Sequence, residues 1–362
     1  MAKPKAYDVF NGDADGICAL HQLRLFEPRD ATLVTGVKRD IKLLHRVPSE
    51  RDVDVDVDVD VDVDVDVDVT VLDISLDANV ASLTRILKAG GRVSYFDHHS
   101  ASQAFPHPKL NFYWDDSADV CTSILVDRYL RGRFRQWAIV AAFGDNLRTS
   151  ARRLAETIGL SGNHVEALDE LGRMLNYNAY GDSTDDLHVA PQTLYEAVHQ
   201  FAHPLDFIAV SPYFRLLVDG YRDDAVRAEA LAPERRWMEG ELYVLPDAPW
   251  ARRISGDFAN RLAAQRPAAF FAVLTAKPDG TYAVSVRSGS PEIRTAHELC
   301  GKFPSGGGRK ASGGINCLPA TRLNEFIAAF AAYFAVGRTP GTDAVSPRDS
   351  NHEPFHQEEH SR

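Results

Sequence analysis

Residues 93–99 read Val-Ser-Tyr-Phe-Asp-His-His, a β-rich apolar run that stops abruptly at a carboxylate and two imidazoles. The same phrase recurs three times in the first 150 residues. Tyr7-Asp8-Val9-Phe10 precedes Asn11-Gly12-Asp13, Val69 to Leu72 precedes Asp73, and Trp137 to Phe143 precedes Gly144-Asp145. Between these runs, Gly16 to Phe26, Asn79 to Lys88 and Ala118 to Leu130 carry helical periodicity. Strand alternating with helix predicts an α/β fold with a parallel sheet and helices on its faces. In open sheets of this kind ligands collect beyond the carboxyl ends of the strands, where all four acidic phrases would fall.

Further along, Ser150 to Arg235 reads as mostly helical, broken at Val210-Ser211-Pro212, and Tyr213 to Arg235 suits a charged interdomain helix. The style then changes. Glu241 to Leu245 reads as a strand, Arg252 to Ala264 as a helix, and Ala268 to Arg287 as a hairpin turning at Lys277-Pro278-Asp279-Gly280. A helix over Thr295 to Phe303, a glycine-rich loop and a closing helix through Val336 complete a smaller α/β domain. Beyond Gly337 the chain has too little apolar content to bury, which predicts disorder. His352, His356 and His360 there are spaced by four, but Pro354 opposes a helix, so they stay outside the predicted site.

The chain has 362 residues with 40 Lys+Arg and 51 Asp+Glu, a formal charge of −11. One tract distorts that figure. Residues 52–69 are Asp-Val repeated nine times, and without those nine aspartates the charge is −2. A near-neutral body lacks the basic excess of a non-specific binder of long duplex DNA. The longest apolar stretch, Phe326 to Val336, is far short of a membrane span, and the first ten residues do not read as a secretory signal. Cys18, Cys121, Cys300 and Cys317 are scattered without a CxxC pair, which fits a reducing compartment and argues against a disulfide framework or zinc ribbon. A cytoplasmic protein is expected.

The tract alternates with period two, so as a strand it would put aspartates on one face and valines on the other. Like charges side by side repel, and the valine face would need a partner sheet. A low-complexity insertion ahead of the strand that delivers Asp73 is the expectation.

Asn11-Gly12-Asp13-Ala14-Asp15-Gly16 places two carboxylates two positions apart where a strand gives way to a helix. By itself Asp-x-Asp-Gly is also a common loop or cap. Asp97-His98-His99 raises its weight, because adjacent histidines at a strand end point different ways. One can ligate a metal while the other donates to a substrate oxygen. Asp73 and Asp145 add further carboxylates at equivalent positions. Such a mixture, rich in carboxylate with one or two imidazoles, suits a pair of Mn²⁺ or similar ions better than Ca²⁺ or thiolate-bound Zn²⁺. Two such ions about 3.5–4 Å apart assist in-line displacement at phosphorus, which predicts phosphate-ester hydrolysis. In the second domain Ser305-Gly306-Gly307-Gly308-Arg309-Lys310 pairs a flexible backbone with cations, without Walker spacing, and Arg287 is a further candidate for an anion.

The order of these motifs resembles the DHH phosphoesterase family, which includes RecJ-like single-strand exonucleases, nanoRNases and phosphoadenosine-phosphate phosphatases. The matching pieces are Asp13-Ala14-Asp15-Gly16, Val71-Leu72-Asp73, Phe96-Asp97-His98-His99, Gly144-Asp145, Val286-Arg287-Ser288 and Gly306 to Gly314, spanning about residues 7 to 320. The resemblance implies Asp13, Asp15, Asp73, His98 and Asp145 as ligands of two Mn²⁺ ions, with Mg²⁺ or another divalent ion as alternatives and Asp73 bridging. It implies that Asp97 orients a histidine and that His99 faces the scissile phosphate. Arg287 with Gly306, Gly307, Gly308 and Arg309 would grip substrate from a DHH-associated C-terminal domain. Asn11 and Arg309 stand where many relatives carry histidine.

The implied division is a catalytic domain over 1–190, a helical linker over 191–235, the C-terminal domain over 236–336 and a tail over 337–362. RecJ-like exonucleases carry extra nucleic-acid-binding domains. With no third domain or basic stripe in this chain, nucleotides or short single-stranded oligonucleotides are the expected substrates. A RecJ-like exonuclease and a catalytically inactive nucleotide-binding protein are the alternatives. The oligomeric state is left open.

Overall fold

A computed structural model describes residues 5–48, 67–102 and 105–335. Most of the Asp-Val tract and the tail after Ala335 lie outside the described residues, as do the three spaced histidines.

The first half is built on a five-stranded, wholly parallel sheet of order β2-β1-β3-β4-β5. Its strands are β1 (Lys5–Asn11), β2 (Thr32–Gly36), β3 (Val67–Leu72), β4 (Arg92–Asp97) and β5 (Leu110–Trp114). Alternation along β1 sends Phe10 to one face and Val9 to the other. Phe10 packs with Ile17 and Leu20 of helix α1 (Ala14–Phe26), whereas Val9 packs with Leu83 and Ile86 of α2 (Leu76–Lys88). The helices that follow β1 and β3 therefore cover opposite faces. A crevice must open where they diverge, beyond the carboxyl ends of β1 and β3. Asp13 and Asp73 stand at that switch point.

β3 begins at Val67, two residues before the expected start, so the last three residues of the repeat belong to a central strand. The objection to charges on such a strand is met by two arginines. Asp68 pairs with Arg29 at 3.3 Å and Arg92 at 2.8 Å, while Val67 and Val69 are buried in the core shared with α2. The strands β2 and β5 were not foreseen.

Helices α3 (Thr122–Tyr129), α4 (Arg135–Gly144), α5 (Arg148–Thr157) and α6 (Gly162–Asn178) stack beside α1. Here the sequence expectation is corrected: Trp137 to Phe143 is the body of α4, not a strand. A short apolar run does not distinguish a buried strand from a buried helix by periodicity, and Ala138, Ala141 and Ala142 favour the helix. Its burial on every side follows from packing against α1, α3, α5 and α6. Gly172 makes the α4–α6 contact possible, because a Cβ there would meet the Val140 carbonyl at 2.1 Å.

Helices α7 (Pro191–Val198), α8 (Pro204–Val210) and α9 (Pro212–Glu229) lead to a mixed six-stranded sheet of order β10-β11-β9-β8-β7-β6. It comprises β6 (Arg235–Trp237), β7 (Gly240–Leu245), β8 (Phe270–Ala276), β9 (Thr281–Arg287), β10 (Gly306–Gly308) and β11 (Ser312–Pro319). Helix α10 (Pro249–Gln265) covers one face; α11 (Ala296–Cys300) and α12 (Leu323–Ala335) belong to the core of the other. The expected hairpin is β8–β9, whereas the glycine-rich loop is itself a hairpin of β10 and β11. No helix among the described residues is long and apolar enough to cross a membrane.

One buried pair makes the fold acid-sensitive. His21 on α1 holds His199 at 3.0 Å between Nδ1 atoms and donates from Nε2 to the Phe201 carbonyl at 3.0 Å. Burial, then the neighbouring His199, pulls the His21 pKa from 6.5 to about 3. Because the folded value lies below the unfolded one, the neutral ring's contribution is complete above about pH 6.5 and lost as pH falls towards 3. Urea midpoints should drop across that window, and His21→Gln should flatten the drop; an unchanged pH slope in the variant would contradict the assignment.

Candidate metal centre

Asp13 is the N-cap of α1, its Oδ1 accepting from the Asp15 and Gly16 amides at 3.0 and 3.1 Å. Gly16 serves close approach here, since a Cβ would lie 2.1 Å from the Asn11 carbonyl oxygen. Asp15, fully buried, reaches the first turn of α3, where its oxygens accept from the Thr122 and Ser123 amides at 2.7 Å each. Those N–H groups have no partner within the helix, and its positive end favours a carboxylate there.

Asp73 follows β3 with φ of 58°, in the left-handed region that aspartate tolerates better than most residues. Its amide donates to the Phe96 carbonyl at 3.0 Å, which ties the turn to β4. At the end of β4, Asp97 Oδ1 accepts from the His98 and His99 amides at 2.9 and 3.2 Å and from His99 Nδ1 at 2.7 Å. Asp97 thus sets the course of the whole Asp-His-His turn and the ring of His99.

His98 Nδ1 donates to the Val120 carbonyl at 3.0 Å, so its proton sits there and Nε2 presents a lone pair. Around Nε2 lie Asp73 Oδ1 at 3.4 Å, Asp145 Oδ2 at 3.6 Å and Asp15 Oδ2 at 3.9 Å. Ligand atoms of Asp15, His98 and Asp145 lie within 4.8 Å of one another, a spacing that suits a divalent ion. Donor atoms of Asp73, His98 and His99 also lie within 4.8 Å of one another.

The electrostatics of the cluster favour a cation beside the carboxylates. Burial, then the charges of Asp13, Asp15 and Asp145, pushes the Asp73 carboxyl well above the usual range; burial and Asp145 also raise Asp15. Asp13 goes the other way. Burial opposes its ionisation, but Lys38 overrides that and holds it low. His99 is raised because its bond to Asp97 outweighs burial.

The five expected ligands therefore meet, with Asp97 and His99 beside them. Asp145 arrives differently from the expectation, on the C-cap of α4 rather than a strand end. Arg287 lines a cleft of about 660 Å³ together with Asp145, Lys38, Tyr180 and α10. Its Nε donates to Asn260 at 2.7 Å, and among the described residues no carboxylate pairs with it. Gly306, Gly307 and Gly308 form β10, and Arg309 is exposed in the turn after it; none of the four lines that cleft. They sit near its rim, since Ser312 lies opposite Arg287 in the β11–β9 ladder.

Sequence reasoning missed Lys38, whose Nζ lies 2.5 Å from Asp13 Oδ2, 3.3 Å from Asp145 Oδ1 and 2.8 Å from Asn176 Oδ1. Burial pulls this ammonium down, but Asp13 and Asp145 outweigh it and hold the group well above the lysine range. Its signal was present: Thr32 to Gly36 is one more β-rich run, and Lys38 stands two residues past its end. Asn11 donates from Nδ2 to the Lys38 carbonyl at 3.2 Å and accepts the Asp13 N–H on Oδ1 at 3.3 Å.

In its sheet order this chain shares the DHH-type fold of solved structures. Among solved structures, it is similar to an exonuclease RecJ bound to manganese, with 16% identity over 92% of this chain and 91% of that one and a TM-score of 0.56. It is similar also to a pGpG-specific phosphodiesterase, PggH, from Vibrio cholerae, with 16% identity over 92% and 100% and a TM-score of 0.54. RecJ from Thermus thermophilus in complex with Mn²⁺ matches at 17% identity and a TM-score of 0.51; the alignment takes in 93% of this chain but about half, 53%, of that one. No family model matches the chain. No curated protein matches it either.

Proposed function

We propose that this protein is a divalent-metal-dependent phosphoesterase acting on nucleotides or short single-stranded oligonucleotides. The observation that carries this reading is the convergence of Asp15, Asp73 and Asp145 on the free Nε2 of His98. These donors are buried (Asp15, Asp73) or half-buried (His98, Asp145), mostly anionic and free of thiolate, which suits Mn²⁺, with Mg²⁺ as the alternative. When bound, such an ion supplies Lewis acidity toward a phosphoryl oxygen and lowers the pKa of water.

The chain's own groups do the rest. Asp97 fixes His99 through Nδ1, leaving Nε2 as the ring nitrogen available to a phosphate oxygen. Arg287, held by neutral Asn260, is open to pair with an anion entering the cleft. A volume of about 660 Å³ fits a nucleotide or dinucleotide better than a long strand. That favours the small-substrate reading over a RecJ-like exonuclease. The intact set of carboxylates counts against an inactive nucleotide binder. Arg309 and the Gly306–Gly308 strand, at the rim, would meet only the outer part of a substrate.

The test is release of phosphate or mononucleotide from adenosine 3′,5′-bisphosphate, linear and cyclic dinucleotides and single-stranded oligomers, with and without Mn²⁺. Turnover on the small members, lost on chelation and restored by Mn²⁺, is expected. No turnover on any member, or turnover untouched by joint Asp97→Ala and His98→Ala substitution, would refute the reading.

A further inference from the structure

We infer that Lys38 is a built-in cation standing in the place of a second divalent ion, so that the centre holds one ion per chain rather than the two expected from sequence. The inference rests on the metal-dependent reading above.

The expected ligands fall into two overlapping sets in space, with Asp73 also hydrogen-bonded to Asp13. Asp15, Asp73 and Asp145 surround His98 Nε2, whereas Asp13 Oδ2 and Asp145 Oδ1 face the Lys38 ammonium. Asp145 joins the two sets, one oxygen to each, as a carboxylate spanning two cations would. The lone pair that Asp13 would offer to an ion is taken at 2.5 Å by Nζ. An ion on the same oxygen would stand against the half-buried ammonium, and like charges that close repel.

Lys38 is held in place by more than the acids. Its amide donates to the Ala179 carbonyl at 2.9 Å, its carbonyl accepts from Asn11 at 3.2 Å, and Nζ donates to Asn176 Oδ1 at 2.8 Å. The Tyr180 ring lies 5.8 Å from Nζ. Two of these partners, Asn176 and Ala179, come from the end of α6 and the residue after it, so the ammonium is positioned by elements on both sides of the crevice. Asn11 belongs to this arrangement too, since its side-chain amide donates to the Lys38 carbonyl at 3.2 Å and accepts the Asp13 N–H at 3.3 Å, tying the two residues together. Lys38 also lines the cleft with Arg287. The centre therefore presents a phosphoester with one exchangeable divalent ion and two fixed cations, one from each half of the chain.

The experiment counts ions on the full chain. Protein equilibrated with Mn²⁺ and desalted is measured by elemental analysis, with calorimetric titration and electron paramagnetic resonance in parallel. We expect one Mn²⁺ per wild-type chain with the six-line spectrum of an isolated ion. Lys38→Met, which keeps the stem and removes the charge, should take up a second ion and show exchange coupling, with Lys38→Gln as the substitute if that variant misfolds. Two coupled ions on the wild type would overturn the inference while leaving metal dependence standing. One ion on both wild type and variant would overturn the role given to Lys38. No bound ion on the wild type would overturn the metal-dependent reading itself, and this inference with it.

Discussion

Asp73→Asn should abolish Mn²⁺-supported hydrolysis, by about 10³-fold or more, and yet stabilise the metal-free protein. The loss follows from removing a carboxylate that faces both His98 and the Asp13–Asp15 pair, because a bound ion's contribution of several kcal/mol corresponds to at least three decades in rate. The gain follows from the sign of its pKa. Burial and three neighbouring acids raise the folded value above the unfolded 3.8, so the ionised side chain costs stability as pH rises through that interval, and an amide avoids the cost. Asparagine also tolerates the left-handed backbone at φ 58°, which keeps the turn intact. Without metal, thermal unfolding at neutral pH should place the variant above wild type; with Mn²⁺ the order should reverse. A variant that unfolds earlier in both conditions would mean that Asp73 is structural, and one that retains turnover would remove it from the chemistry.

Arg253→Ala should cost about 3–5 kcal/mol, the usual penalty for stranding a buried charge. Arg253 on α10 holds Asp224 of α9 through Nε at 2.9 Å and a terminal nitrogen at 3.1 Å, and it also donates to the Asp186 carbonyl. Tyr177 of α6 donates to the same Asp224 carboxylate. All three side chains are buried or nearly so, and together they join the second sheet's helix to the first half of the chain beside the cleft. Replacing both members of the pair, Arg253→Met with Asp224→Leu, should recover most of the loss, since no charge is then left without a partner. Urea unfolding reads both effects. A single substitution costing under about 1 kcal/mol would show that water reaches and solvates Asp224. Because the cleft lies at this junction, the single variant should weaken substrate affinity more than metal affinity.

Much of the centre was legible in the linear order of residues. β1, β3 and β4 announce themselves by β-branched and aromatic runs that stop at Asp13, Asp73 and Asp97, and a parallel sheet must bring such ends to one edge. Asp145 was found for the wrong local reason, as a strand end, because the alanine-rich run before it is apolar on every side and carries no period to read. Lys38 escaped because its strand is short and a lysine near a loop is ordinarily solvated. The loop of Gly306 to Arg309 looked like a phosphate cradle by composition, but backbone pairing with β11 makes it an edge hairpin.

The Asp-Val repeat shows the same division. Its alternation dictates two chemically opposite faces wherever it becomes a strand, and that much is local. Which part joins the sheet depends on the partners available: Arg29 and Arg92 for Asp68, and the α2 core for Val67 and Val69. By itself, then, the sequence determined the parallel α/β half, the acidic edge and the presence of His98 and His99 beside it, because side-chain period and strand termini are properties of neighbouring residues. Only the tertiary structure decided that Asp145 comes from a helix, that Lys38 enters among the carboxylates and that Arg287 faces them across a cleft. Those outcomes depend on packing between segments more than a hundred residues apart, which no local pattern encodes.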